Sequence, residues 1–134
     1  MTQLVWKDEY SVGVKELDMQ HEKLLDLINR LYEENPDKSL DDCFWHLNTM
    51  IKYAELHFTT EENLMEKYGY EGLEIQQNEH DSFTMKVFAL NEELAQEKGD
   101  IYSDIIVFLK EWYVSHILGT DKEYMDFFKE KGVT

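Results

Sequence analysis

Hydrophobic side chains recur at three- and four-residue steps through four successive stretches of the chain. These stretches cover residues 17–31, 43–68, 76–94 and 102–116, and polar or glycine-containing runs separate them. The step matches the period of an amphipathic α-helix, and no strand-like alternation competes with it. Four such helices with short connections predict an all-α fold, an antiparallel up-down-up-down four-helix bundle. The length of 134 residues suits one core, so we expect residues 1–134 to form a single domain.

The two ends of the chain depart from this rhythm. An extended N-terminal arm runs to about Val14. A short C-terminal helix around Tyr124, Phe127 and Phe128 is expected to cap the open end of the bundle.

Composition narrows the classes of partner and compartment. The net charge of −16 would repel nucleic acid and anionic membrane surfaces, so we expect neither as a partner. No apolar run has the length of a bilayer span, and the first residues do not resemble a signal peptide. The single cysteine, Cys43, excludes an internal disulfide and suits a reducing compartment. We therefore predict a cytoplasmic protein, and the acidic surface favours a monomer.

Several polar residues occupy the inward positions of the helices, where burial without a partner or a metal is costly. In an antiparallel bundle, early positions of the first and third helices meet late positions of the second and fourth. The pattern therefore predicts one site at one level of the bundle. Its members are His21, His57, Glu61, Gln76, His80 and His116. His46, beside Trp45, does not fall on the inward positions of the second helix and is expected at the surface or rim of the bundle.

The donor types at this level favour a metal site over a set of hydrogen-bonded core histidines. His57 and Glu61 are one helical turn apart, and Asp121 follows His116 by five residues, near a helix end. Imidazole and carboxylate without thiolate suit iron, manganese or zinc. Carboxylates that can bridge favour two metals over one. Ferritin-type di-iron sites use more glutamates and Glu-x-x-His pairs, and no such pair lies on these stripes.

Four segments, with Trp6 and SVGV in the arm, resemble the hemerythrins, and specifically the bacterial bacteriohemerythrins. They are LDMQHEKL, HFTTEENLMEKYGY, NEHD and WYVSHILGTDKEY, and the resemblance covers nearly the whole chain. It implies the same four-helix fold and two iron ions with an oxo or hydroxo bridge. His21 and His57 would bind the iron with a position open for dioxygen, and His80 and His116 would bind the other. Glu61 and Asp121 would bridge both.

The chain departs from the family pattern at two positions. Gln76 stands where the family has a third histidine on the second iron. It could ligate weakly through its carbonyl oxygen, hydrogen-bond a water on the metal, or leave a working site unchanged. Tyr113 stands where leucine is usual, in the oxygen pocket that it would line with Ile117. Its hydroxyl could donate to a bound ligand, or its ring could simply fill the core.

The predicted ligands and the family resemblance suggest three functions. The leading one is a non-haem di-iron protein that binds dioxygen for carriage, storage or sensing. The second is a peroxidase-like enzyme, or one that reduces peroxide or NO, at an iron opened by Gln76. The third is a hemerythrin-like module with an altered metal site.

Overall fold

The computed structural model describes residues 4–33, 40–96 and 101–134. Four long helices are present: α1 (Lys15–Glu33), α2 (Leu40–Tyr68), α3 (Leu73–Ala95) and α4 (Ile101–Ser115). A short helix, α5 (Met125–Glu130), follows. Every regular element in these ranges is helical. Helix α1 packs against α2 and α4, and α3 packs against α2 and α4, which is the neighbour order of an up-down-up-down bundle. The predicted fold is therefore confirmed.

Glycine ends α2 and turns the chain towards α3. Gly69 follows the last helical residue and has a φ of +73°, a left-handed conformation in which a Cβ would be strained. The amide of Tyr70 then donates to the carbonyl of Met65 at 2.9 Å, as in a Schellman ending. This turn sets α3 antiparallel to α2 and brings the start of α3 to the level of the late residues of α2.

Two hydrophobic clusters hold the bundle together. The larger runs along the centre between α1, α2, α3 and α4. The smaller one lies where the N-terminal arm and α5 cover one end, and contains Val12, Val14, Leu17, Met65, Tyr124 and Phe128. The predicted C-terminal cap is thus present. Burial of these side chains stabilises that end of the bundle, at about 25 cal/mol per Å² of apolar surface removed from water.

The predicted α4 stretch, residues 102–116, divides between a buried face and its edge. Tyr102 and Trp112 are half-buried, whereas Ile101, Ile106 and Tyr113 are buried. The rings of Tyr102 and Trp112 pack against the edge of the main cluster, so they add buried apolar area without entering its centre.

None of the described helices is long and apolar enough to cross a bilayer.

Candidate metal centre

All the predicted ligand side chains are buried and converge from four directions. None of the seven is more than 3% exposed. Helix α1 supplies one, α2 two and α3 two, while the segment after α4 supplies the last two; they are His21, His57, Glu61, Gln76, His80, His116 and Asp121. Within the described residues, ligand atoms form two compact groups that share Glu61. One group is His21, His57, Glu61 and Asp121, and the other is Glu61, His80 and His116.

A widened turn at the end of α4 explains how Asp121 reaches this site. A regular α-helix would not place residues five apart on one face. From His116 to Thr120 the chain forms a π-helical turn, and the amide of Asp121 donates to the carbonyl of His116. The turn brings Oδ1 of Asp121 to 3.0 Å from Nε2 of His116. Such turns are frequent at functional sites, whereas sequence analysis predicted only a helix end here.

Three of the four histidines are oriented by an acceptor on Nδ1. Nδ1 of His57 contacts the amide oxygen of Gln20 at 2.7 Å. Nδ1 of His80 contacts Glu62 at 2.8 Å, and Nδ1 of His116 contacts Glu79 at 3.0 Å. Because these acceptors require a proton on Nδ1, they leave the Nε2 lone pair free for a metal. Sequence reasoning missed Gln20, Glu62 and Glu79; the two glutamates resemble solvated surface residues.

The Nε2 atoms lie close to other atoms that carry lone pairs. Nε2 of His57 lies 2.9 Å from Oε1 of Glu61, and Nε2 of His80 lies 3.2 Å from Nε2 of His116. Several of the buried atoms here make no hydrogen bond despite these approaches: Nδ1 and Nε2 of His21, Nε2 of His57, Oε1 of Glu61, Oε1 of Gln76 and Oδ2 of Asp121. Buried polar groups are rarely left without a partner. A cation between them would satisfy both sides, so the donor set fits metal ions.

In the metal-free protein, protons on the histidines partly replace the positive charge that a metal ion would bring to this site. Burial acts to lower the pKa of His21, but the close carboxylates of Asp121 and Glu61, the nearer with its Oδ2 3.1 Å from Nε2 of His21, outweigh it and raise the pKa to about 9. The pKa of His116 is raised to about 9 in the same way, against the effect of burial, mainly by Asp121. Burial lowers the pKa of His57. Despite burial, the histidines lower the pKa of Glu61 and of Asp121, so both carboxylates remain anionic.

Gln76 makes one hydrogen bond into the site. Its Nε2 donates to Oδ1 of Asp121 at 2.9 Å, and its Oε1 is buried without a partner. The side chain thus holds a carboxylate of the first group in place. Whether it also ligates a metal stays a prediction.

Two tyrosine hydroxyls approach the site differently. The hydroxyl of Tyr113 donates to the backbone carbonyl of His21 at 2.9 Å, and burial raises its pKa. The hydroxyl of Tyr124 donates to Oε2 of Glu61 at 2.7 Å. Sequence reasoning singled out Tyr113 and missed Tyr124 as a site residue. Ile117, the other predicted pocket residue, is fully buried in the main core.

Aromatic rings enclose the second group. Phe58 stacks on His80 with ring centroids 3.9 Å apart and planes at 10°, and Trp112 stacks on His116 at 4.5 Å and 12°. These contacts fix the imidazole planes and exclude water from them.

Comparison with known proteins identifies the family of this chain. The family model for the hemerythrin HHE cation binding domain matches residues 12–128. The chain belongs to the hemerythrin family. The bacteriohemerythrin of Clostridium acetobutylicum is 34% identical over 91% of this chain and 98% of its own length. A hemerythrin-like protein of Naegleria gruberi is 31% identical, with coverage of 89% and 88%. A crystal structure of wild-type hemerythrin is 26% identical and covers 93% and 97% of the two chains, with a TM-score of 0.85.

Proposed function

We propose that this hemerythrin-family chain is a non-haem di-iron protein that binds dioxygen reversibly, for carriage, storage or sensing. The observation that carries the proposal is the convergence of buried imidazole and carboxylate side chains in two groups that share Glu61. In the group that contains His21 and His57, several of these atoms make no hydrogen bond. Two groups with a shared carboxylate suit two ions, and this ligand chemistry suits iron.

The proposed roles follow the two groups. His21 and His57 would hold one iron, His80 and His116 the other, and Glu61 and Asp121 would bridge the pair. The irons would supply the electrons that dioxygen accepts on binding and returns on release. Gln20, Glu62 and Glu79 would keep the imidazoles in the metal-binding tautomer.

The chain's own contribution to reversibility would be a dry enclosure. The ligand residues are at most 3% exposed, and the hydroxyl of Tyr113 is engaged by a backbone carbonyl. A dry site protects a bound ligand from hydrolysis. A hydroxyl that already has an acceptor is a poor proton source for cleaving an O–O bond. Both features favour release of the intact ligand.

Anaerobic loading with ferrous iron, followed by a metal count, tests the metal part of this proposal. We expect about two irons per chain. His57→Leu should lower the count, whereas His46→Leu should leave it unchanged, because His46 lies outside both groups. Loss of iron in both variants, or at most one metal in the parent, would favour the module with an altered site.

A peroxide- or NO-reducing enzyme is the second candidate, and Gln76 is the observation that favours it. Its buried Oε1 has no partner, and an amide is a weaker ligand than imidazole, so the second iron could hold an exchangeable ligand. Steady-state reduction of peroxide that exceeds free iron, and that falls in Gln76→His, would support this function over reversible binding.

A further inference from the structure

Three of the chain's few cations collect in one groove between α1 and α2. Lys23 and Arg30 on α1 and Lys52 on α2 line a groove of about 370 Å³. The chain as a whole has 13 basic and 29 acidic residues, yet among the residues that the structure describes no carboxylate lines this groove. Within the described ranges these three side chains make no ion pair or hydrogen bond. In so acidic a protein, cations gathered away from carboxylates leave a local positive field.

The same groove exposes large apolar groups. Trp45 is 64% exposed and Leu56 55% exposed, while Tyr53 is half-buried and Leu27 forms part of the buried wall. On α2 the lining recurs at positions 45, 49, 52 and 56, one continuous helical face. Exposed apolar groups rimmed by charge mark interaction sites. Tryptophan, tyrosine and arginine are the residues that most often dominate binding energy at protein interfaces.

We propose that this α1–α2 groove is a docking surface for an acidic segment of a partner protein, in which carboxylates flank a short apolar stretch. The apolar side chains would pack along the face of α2 between Trp45 and Leu56, and the carboxylates would pair with the three cations. The rest of the acidic surface would repel such a segment, so docking is confined to this groove. The proposal is independent of the function proposed for the metal centre.

A small anionic ligand fits the groove less well. Sites for small molecules place a few fixed polar groups in an otherwise enclosed pocket. Here the cations are exposed ends of long side chains, and none of the described residues that line the groove is a buried polar one. A segment with several carboxylates can adapt to flexible cations, whereas a single compact headgroup gains little from them.

A synthetic peptide tests the proposal on the metal-loaded protein. The probe is a fluorescent peptide with a central Phe-Leu pair flanked by Asp and Glu, and the matched peptide has Asn and Gln in their place. By fluorescence anisotropy at low salt we expect the acidic peptide to bind with a Kd below about 1 mM. Binding should weaken several-fold at about 0.2 M salt, and the amide peptide should bind at least about tenfold more weakly.

Two triple charge reversals with the same change in net charge locate the site. The groove variant is Lys23→Glu, Arg30→Glu and Lys52→Glu. The control variant is Lys15→Glu, Lys86→Glu and Lys129→Glu, and all six residues are exposed. We expect the groove variant to lose at least about tenfold in affinity and the control less than about threefold. Equal losses would show only long-range repulsion and would overturn the proposal.

The apolar half of the proposal has its own pair of variants. Trp45→Ala should weaken the acidic peptide by about tenfold, whereas Phe88→Ala, at an exposed phenylalanine outside the groove, should not. Riboflavin 5′-phosphate, a small aromatic anion, tests the alternative that the groove binds a small anionic ligand. If it binds in the groove while the peptide does not, or if neither binds, the docking proposal is wrong.

Discussion

Removing one hydroxyl at each of two tyrosines separates a packing role from a role at the metal centre. Tyr113→Phe and Tyr124→Phe delete the same atom from a buried ring. The acceptors differ: the hydroxyl of Tyr113 donates to the backbone carbonyl of His21, and that of Tyr124 donates to the carboxylate of Glu61. We expect only the second change to disturb the metal centre.

The expected loss of unfolding free energy depends on the hydrogen bonds that each acceptor retains after the hydroxyl is removed. The carbonyl of His21 lies within α1 and retains its helical hydrogen bond, so Tyr113→Phe should cost about 1 kcal/mol of unfolding free energy. That corresponds to roughly 3 °C in Tm for a chain of this size. Glu61 is a buried anion and loses a charged hydrogen bond, so Tyr124→Phe should cost about 2 to 3 kcal/mol.

Thermal and urea unfolding of the metal-free proteins measures these costs. In iron-loaded protein, Tyr113→Phe should leave the absorption spectrum and the rate of iron release to a chelator unchanged, whereas Tyr124→Phe should alter both. If Tyr113→Phe abolishes a peroxide-reducing activity, the packing role assigned to the Tyr113 hydroxyl is wrong. That result would make its hydroxyl the proton donor of an enzyme.

Two further predictions concern the metal ligands. Gln20→Leu removes the acceptor at Nδ1 of His57 and should weaken iron binding by about 10- to 100-fold, as judged by chelator competition; an unchanged affinity would contradict the role given to Gln20. In metal-free protein the pKa values of His21 and His116 are raised from 6.5 to about 9. Their stabilising effect is complete below pH 6.5 and is lost as the pH rises through 9. The unfolding free energy should therefore fall between pH 7 and pH 9.5, and a rise in urea midpoint over that interval would contradict the pKa shifts.

The helices and the convergence of ligands were predictable because both depend on periodicity and topology. The inward rhythm of α1, α2 and α3 places His21, His57 and His80 on buried faces, and an antiparallel bundle brings those faces to one level. Neither step needs a side-chain conformation. The burial of the ligands predicted on the helical stripes, His21, His57, Glu61, Gln76, His80 and His116, follows from these two properties.

The partners that orient the ligands were not predictable in the same way. Glu62 and Glu79 lie near the surface and reach His80 and His116 from the side, which depends on helix offsets and rotamers. The π-helical turn that brings Asp121 to His116 leaves no periodic signal. The direction of the Tyr113 hydroxyl depends on the spacing of α1 and α4, and the sequence left it open between the pocket and the core.

Reversible dioxygen binding is best tested by an anaerobic titration with ferrous iron, followed by repeated exposure to air and to argon. We expect about two irons per chain and a charge-transfer absorption band that forms with oxygen and disappears when oxygen is removed, over several cycles. A band that bleaches irreversibly, or steady oxidation of the iron without a reversible band, would contradict reversible dioxygen binding.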